Sequence, residues 1–134
     1  MDCKEINDTI VDVNTEFSFF YILNVREPFI KLLYLTPERI VKGTGTRQVL
    51  QDLYQNEMLA RFVIDEAHCV SSWGHDFRKD YSALRILKDE FPETPIMALT
   101  ATARNRVAVD TMKILRIENC VQFNTGNGHY FISC

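Results

Sequence analysis

The stretch RFVIDEAH, residues 61–68, decides the fold, because a short apolar, β-branched run stops there abruptly at two acids. A second run of this kind, IMALT, occupies residues 96–100 and ends at a hydroxyl-bearing residue. Between such runs, apolar residues recur at helical spacing. Short apolar strands that alternate with amphipathic helices predict right-handed crossovers, and therefore an α/β fold built on a parallel sheet.

The predicted elements alternate from residue 31 onward, and an earlier apolar run at 17–23 reads as a further buried strand, with a helix left open. Polar residues follow three of the strands, namely Thr36, the pair Asp65 and Glu66, and the segment from Thr100 to Thr102. Since sites in parallel sheets lie at the carboxyl ends of the strands, we expect these groups at one edge. The predicted strands are 31–35, 61–64, 96–99 and 120–123, and the predicted helices are 47–60, 82–91 and 104–115.

The composition is that of one ordinary globular domain. The chain has 134 residues, of which 46% are hydrophobic and 25% charged, and its net charge is −3. These values exclude a disordered chain, a collagen and a disulfide miniprotein, and they disfavour a histone-like nucleic-acid binder. Residues 1–30 carry two basic and six acidic side chains, so the acidity lies there and a basic face elsewhere stays open.

The cysteines and the apolar runs indicate a protein of the cytosol or nucleus. Cys3, Cys69, Cys120 and Cys134 form no Cys-x-x-Cys pair, which predicts reduced thiols, with Cys69 as a small buried residue. No apolar run is long enough to span a membrane, and the acidic start is unlike a signal peptide.

The acid pair Asp65 and Glu66 suits a nucleotide hydrolase, because one carboxylate can hold Mg²⁺ while the next polarises the attacking water. The alternative is a helix N-terminus, where acids are favoured by the dipole. A metal cluster drawn from Asp65, Glu66, His68, His75 and Asp76 is disfavoured, since the His-Glu-x-x-His spacing of a zinc site is absent.

The segment DEAHCVSSWGHDFR, residues 65–78, resembles the centre of a RecQ-family DNA helicase, closest to the eukaryotic Bloom-syndrome-type branch. The resemblance extends upstream to LYLTPE, residues 33–38, and downstream to MALTATA, residues 97–103. It implies an incomplete RecA-like P-loop NTPase domain, a three-layer parallel sheet with helices on both faces. It also implies an ATP-dependent 3′–5′ DNA helicase of recombination and repair that works in the nucleus with ATP and Mg²⁺.

The resemblance implies a role for each matching position. Asp65 would serve the Mg²⁺ of bound ATP, Glu66 would be the general base, and His68 would relay the nucleotide state. Thr36 would touch the phosphate backbone of single-stranded or forked DNA. The remaining positions would couple DNA binding to hydrolysis, through an aromatic-rich loop and a linking motif: Trp73, His75, Phe77 and Arg78 in the loop, Thr100 and Thr102 in the motif.

Packing and capping explain several of these residues without any function. Thr36 followed by Pro37 is a good helix start. Trp73, Phe77 and Tyr81 stand four residues apart, as in a helical core stripe, although Gly74 favours a loop. Thr100 and Thr102 are suitable caps for the helix that follows them.

The sequence has no Gly-Lys pair, and therefore no Walker A cradle for the phosphates. The glycines of 43–46 and 126–129 read as turns. We therefore divide the chain into a divergent acidic segment 1–30, a partial RecA-like domain 31–124 and a divergent tail 125–134. We expect the chain alone to be inactive as an ATPase. The alternatives are an ATPase-dead remnant that binds single-stranded DNA or a protein partner, and a remnant that self-associates through an incomplete sheet.

Overall fold

The computed structural model describes residues 32–101, 104–124 and 130–133. The predicted strand 17–23, Thr102 and most of the tail 125–134 lie outside these ranges. Among the described residues, no helix is both long and apolar enough to cross a membrane. The helices are α1 (Pro37–Lys42), α2 (Thr44–Gln55), α3 (Lys79–Ala83), α4 (Ile86–Glu90) and α5 (Asn105–Leu115), with a 3₁₀ helix at Ala67–Val70; the strands are β1 (Phe62–Ile64), β2 (Ile96–Thr100), β3 (Val121–Asn124) and β4 (Tyr130–Ser133).

The parallel pair β1 and β2 confirms the strands predicted from the two apolar runs. Their register places Phe62 opposite Ile96 and Ile64 opposite Ala98. The burial of Ile64, Ile96 and Ala98 explains why both strands are almost entirely apolar. Because the two strands are parallel, their carboxyl ends face the same edge of the sheet, and the residues that follow them are brought together there.

The prediction of a wholly parallel sheet is wrong. The four described strands lie in the order β1-β2-β4-β3, and β4 runs antiparallel to both β2 and β3. Strand β4 therefore occupies the position next to β2 that a parallel β3 would have taken. The physical reason is the short connection after β3, since two successive strands joined by a few residues can pair only as an antiparallel hairpin.

The predicted strand 31–35 is also wrong in its described part, since residues 32–36 belong to no strand. The chain there leads into α1, whose N-cap is Thr36. The hydroxyl of Thr36 accepts a hydrogen bond from the Arg39 amide at 3.3 Å, and Pro37 takes the first helical position. The predicted helix start is confirmed.

Two of the three predicted helices are confirmed, as α2 and α5. The start of α5 differs by one residue, whereas α2 covers 44–55 instead of 47–60, so its first turn includes residues that were predicted to form a turn. The third, predicted over 82–91, is divided into α3 and α4. The amides of Leu84 and Leu87 donate to carbonyls three residues earlier, which tightens the chain into a turn between the two short helices.

The core forms around Phe91, which is 1% exposed and follows the end of α4. Its ring lies 5.5 Å from that of Tyr54 on α2 and 5.4 Å from that of Phe62 on β1, measured between centroids. The same cluster includes Leu87, Ile96 and further apolar residues of α5 and β4. Phe91 therefore joins two helices to the sheet through a single side chain.

The expectation of four reduced cysteines is wrong for one of the two that the structure describes. Cys69 is a buried free thiol, as predicted, whereas Cys120 is disulfide-bonded. Cys120 directly precedes Val121, which pairs with Ser133 at the open end of the hairpin formed by β3 and β4. Sequence spacing does not show that proximity, because the hairpin itself was not predicted.

Truncation of Phe91 should be the most damaging single change in this core. We expect Phe91→Ala to lower the free energy of unfolding by about 3 to 5 kcal/mol, because it removes contacts to α2 and β1 and leaves a cavity. Urea unfolding followed by far-UV circular dichroism measures this. The matched control is Phe123→Ala on β3, because Phe123 is 56% exposed and the expected loss is about 1 kcal/mol or less. Equal losses in both variants would contradict the assignment.

Candidate functional site

The two acids lie at the carboxyl end of β1, as expected, with both side chains exposed. The Asp65 carboxylate accepts a hydrogen bond from the Glu66 amide at 2.9 Å. Glu66 has a left-handed backbone, with φ 51° and ψ 40°, and it precedes the 3₁₀ helix. A glutamate in this conformation is strained, because its Cβ crowds the backbone. Backbone strain of this kind is found most often at functional sites, where the surrounding structure holds a residue in a conformation that lowers the stability of the protein.

His68 on the 3₁₀ helix lies at the centre of the site, with its side chain only 11% exposed. Its Nδ1 lies 2.9 Å from Oγ1 of Thr100 and 3.2 Å from Oε2 of Glu66. Its Nε2 lies 3.9 Å from Oδ2 of Asp76. One imidazole ring thus adjoins the acid pair, the end of β2 and the residues that follow the 3₁₀ helix.

Thr100 is buried at the end of β2, and its hydroxyl faces His68 rather than a helix. The N-cap of α5 is Arg104, which makes no side-chain capping bond. The interpretation of Thr100 as a helix cap is therefore wrong, while Thr102 lies outside the described residues. The structure brings Thr100 within hydrogen-bonding distance of a residue 32 positions earlier in the chain.

The residues 71–78 form a turn-rich segment, here called the aromatic loop, that contains no helix. Trp73 and Phe77 are 58% and 44% exposed, so they do not form a core stripe with the half-buried Tyr81. The alternative reading as a helical stripe is wrong. The loop also exposes His75 and Arg78, which confirms that aromatic and basic groups share one surface segment.

The loop is built around Ser71 and Gly74. The Ser71 hydroxyl is fully buried and accepts a hydrogen bond from the Trp73 amide at 3.1 Å, while the Gly74 amide donates to the Ser71 carbonyl at 3.0 Å. A Cβ at Gly74 would lie 2.4 Å from the His68 carbonyl oxygen, so only glycine fits. At its far end the loop is closed by the Arg78 amide, which donates to the Cys69 carbonyl at 2.9 Å.

Helix α5 holds this loop through residues that the sequence alone did not single out. The Arg106 guanidinium lies over the Trp73 ring, 3.5 Å from its centroid. The Ser71 hydroxyl donates to the Asp110 carboxylate at 2.5 Å. Arg106 and Asp110 are four positions apart and so share one face of the helix, but nothing in the sequence indicates what that face contacts.

Thr36 lies apart from these contacts, at the exposed start of α1. Its hydroxyl accepts the capping bond from the Arg39 amide, and its carbonyl accepts from the amides of Arg39 and Ile40, so these bonds serve the helix. Within the described residues, no hydrogen bond joins Thr36 to His68 or to the aromatic loop. Its expected role toward DNA stays a prediction.

The donor set suits a magnesium ion better than a transition metal. Asp65 offers an exposed carboxylate, and Mg²⁺ is usually held by one or two carboxylates together with water and substrate phosphates. In the part of the chain that the structure describes, no group of three or more His, Cys, Asp and Glu side chains is placed to hold a metal ion. Asp65 is therefore the residue of this site that could hold a magnesium ion.

Two groups beneath the site have shifted acidities. Burial raises the pKa of the Cys69 thiol; the Arg78 charge opposes this, and the Asp76 and Glu66 carboxylates reinforce it. Burial likewise raises the pKa of the Tyr81 phenol. Both groups are therefore neutral at physiological pH, which suits their role as packing residues rather than nucleophiles.

The strain at Glu66 yields a stability prediction. We expect Glu66→Gly to raise the free energy of unfolding by about 0.5 to 1 kcal/mol, because glycine adopts the left-handed backbone without steric cost. Glu66→Ala keeps the strain and should not give this gain. Urea unfolding of both variants measures the difference.

Glu57 provides the matched control, since it is an exposed glutamate with φ 57° outside the site. Glu57→Gly should give a similar gain. The strain at Glu66 is refuted if Glu66→Gly proves no more stable than Glu66→Ala while Glu57→Gly shows its gain.

The sequence matches the DEAD/DEAH box helicase family over residues 12–111. It is 46% identical over 117 residues to "RecQ-like DNA helicase BLM" of Xenopus laevis and 49% identical over 119 residues to "ATP-dependent DNA helicase hus2/rqh1" of Schizosaccharomyces pombe. It is 54% identical over 93 residues to "ATP-dependent DNA helicase Q-like 4B" of Arabidopsis thaliana.

These matches cover most of this chain but little of the relatives. They span 84%, 86% and 69% of the chain, and 9%, 9% and 8% of the respective relatives. The chain therefore spans less than a tenth of the length of these three proteins. The family match begins inside the acidic segment 1–30, so it extends beyond the residues on which the resemblance was first based.

Proposed function

Because the chain belongs to the DEAD/DEAH box helicase family and is similar to RecQ-like DNA helicases over most of its length, we propose that it is a part of such a helicase that links ATP hydrolysis to single-stranded DNA. The observation that carries this proposal is the position of His68, within 4 Å of Glu66, Thr100 and Asp76. One small ring thereby connects the acid pair, the end of β2 and the aromatic loop.

The proposed chemistry at the acid pair needs few residues. Bound Mg²⁺ supplies charge neutralisation on the nucleotide phosphates, and Asp65 is the residue that would hold it. Glu66 would accept a proton from the attacking water. Its carboxylate is exposed and lies close to Nδ1 of His68, which also contacts the Thr100 hydroxyl. A change in the hydrogen bonding of Glu66 would therefore alter the contact between His68 and Thr100.

The proposed DNA contact is the aromatic loop. Trp73 and Phe77 present exposed rings on which bases can stack, and Arg78 and Lys79 provide cations for the phosphates. We assign His75 to the same surface. From the resemblance alone, we assign Thr36 to the DNA path and Thr102 to the motif that links the ATP and DNA sites. A role in recombination and repair, other repair proteins as partners and a nuclear location belong to the same proposal.

We further propose that the described sheet is part of a three-layer RecA-like domain with helices on both faces, lacking its Walker A segment. No Gly-Lys pair occurs in the sequence, so no residue of this chain is a candidate for the phosphate-binding lysine. The second candidate function follows from this observation. A chain that keeps the aromatic loop without the cradle would bind single-stranded DNA or a protein partner and hydrolyse nothing.

Binding of a fluorescein-labelled oligothymidine to the full chain tests the DNA contact. We expect binding that weakens as salt rises, and we expect Trp73→Ala to weaken it by about 5- to 150-fold, the range that loss of one stacked base implies. Fluorescence anisotropy measures the affinity. Phe123→Ala removes an equally exposed ring from β3 and should leave it unchanged. Binding that is indifferent to both salt and Trp73→Ala would contradict the proposal.

A separate assay addresses hydrolysis. We expect the chain alone to release no phosphate from ATP above the buffer rate, with or without the oligonucleotide, because it supplies no phosphate cradle. Phosphate release with Mg²⁺ present measures this, and Glu66→Gln is the matched control. DNA-stimulated release that disappears in Glu66→Gln would show that the chain is an ATPase after all, and the binding-only candidate would then be rejected.

A further inference from the structure

Trp73 is the most exposed aromatic residue of the aromatic loop, yet one face of its ring is already covered. The Arg106 guanidinium lies 3.5 Å from the ring centroid, which is contact distance for a planar stack. Arginine forms such stacks because its guanidinium is planar, delocalised and weakly hydrated. Trp73 as a whole is 58% exposed, so a second planar group can still reach its ring.

The backbone of the loop is attached to the same helix by a second contact. Ser71, which is fully buried, donates to the Asp110 carboxylate at 2.5 Å and accepts from the Trp73 amide at 3.1 Å. Asp110 therefore fixes the main chain of Trp73 through one hydroxyl, while Arg106 contacts its side chain. The two attachments come from one face of α5, one helical turn apart.

Helix α5 is also connected to the other end of the site. The Thr111 hydroxyl lies 3.4 Å from the Ala67 carbonyl, on the 3₁₀ helix that carries His68. The chain between β2, which ends at Thr100, and α5 is only a few residues long. Helix α5 therefore contacts both the aromatic loop and the 3₁₀ helix that carries His68.

We propose that Arg106 is a positioning residue for Trp73, which holds the indole ring against α5 so that its uncovered face stacks on a base of single-stranded DNA. Asp110 assists by fixing the loop backbone through Ser71. The inference deepens the proposed function and rests on it for the identity of the ligand, but the stack itself does not depend on DNA. Arg106 also leaves a positive charge beside the ring, where the phosphates of a stacked nucleotide pass.

The chain has one tryptophan, so its fluorescence reports on this ring alone. In the full chain without DNA, we expect Arg106→Gln to increase acrylamide quenching and to shorten the rotational correlation time of Trp73. Arg106→Lys should do the same, because lysine keeps the charge but cannot form the planar stack. Arg104→Gln, which removes the same charge two residues away, should change neither value. Far-UV circular dichroism checks that each variant is folded.

Oligothymidine binding then separates positioning from charge. We expect Arg106→Gln and Arg106→Lys each to weaken binding by about 2- to 5-fold, the factor that loss of one exposed cation–π contact implies. Arg106→Lys should retain the salt dependence of the wild type, whereas Arg106→Gln should lower its slope by about 0.7. Wild-type affinity and quenching in Arg106→Lys would overturn the positioning role and leave only a charge effect.

The two assays also distinguish failure of this inference from failure of the proposed function. If Trp73→Ala weakens DNA binding while the Arg106 variants leave quenching and affinity unchanged, the DNA contact stands and the positioning role is rejected. If the wild type binds no oligothymidine, the role toward DNA is rejected together with the DNA contact. Increased quenching in Arg106→Gln would then still establish the stack.

Discussion

The parallel pairing of β1 with β2 is the constraint on which the rest of the site depends. Its register sets Ile64 beside Ala98, so both strands end at one edge and the chain leaves each of them within reach of the other. The left-handed backbone of Glu66 then turns the chain sharply into the 3₁₀ helix. His68 and Thr100 are 32 residues apart in the sequence, and this pairing is what brings them within hydrogen-bonding distance.

Two hydroxyl groups are buried at this edge of the sheet, and their hydrogen bonds determine how the neighbouring loop is held. Thr100 and Ser71 are both buried, and a buried hydroxyl without a partner is costly, so each must find one. Ser71 is satisfied by Asp110 and by the Trp73 amide, and the hydroxyl of Thr100 meets His68. The exposed aromatic loop is thus anchored from beneath by buried polar groups. Trp73 therefore lies at the surface while its backbone amide is held by the buried Ser71 hydroxyl.

The sequence predicted local features well and long-range pairing less well. The strands around Ile64 and Ala98, the helix start at Thr36 and the loop character set by Gly74 were all predicted, since each depends on neighbouring residues. The prediction of a parallel sheet was wrong at β4, which lies between β2 and β3 and runs antiparallel to both. The strand covers only Tyr130–Ser133, directly after a glycine-containing stretch of sequence, and so short an apolar run shows no periodicity that would reveal partners on both sides.

By itself, the sequence determined which chemical groups this protein carries: the acid pair, His68 two residues after it, the aromatic loop and the threonine that ends the second apolar run. Spacing also determined the helical face that holds Arg106 and Asp110. Only the tertiary structure decided that this face meets the loop and that His68 joins Glu66, Thr100 and Asp76. The reason is physical: periodicity reports which side of an element is apolar or polar, whereas the partner of that side is selected by packing between elements distant in sequence.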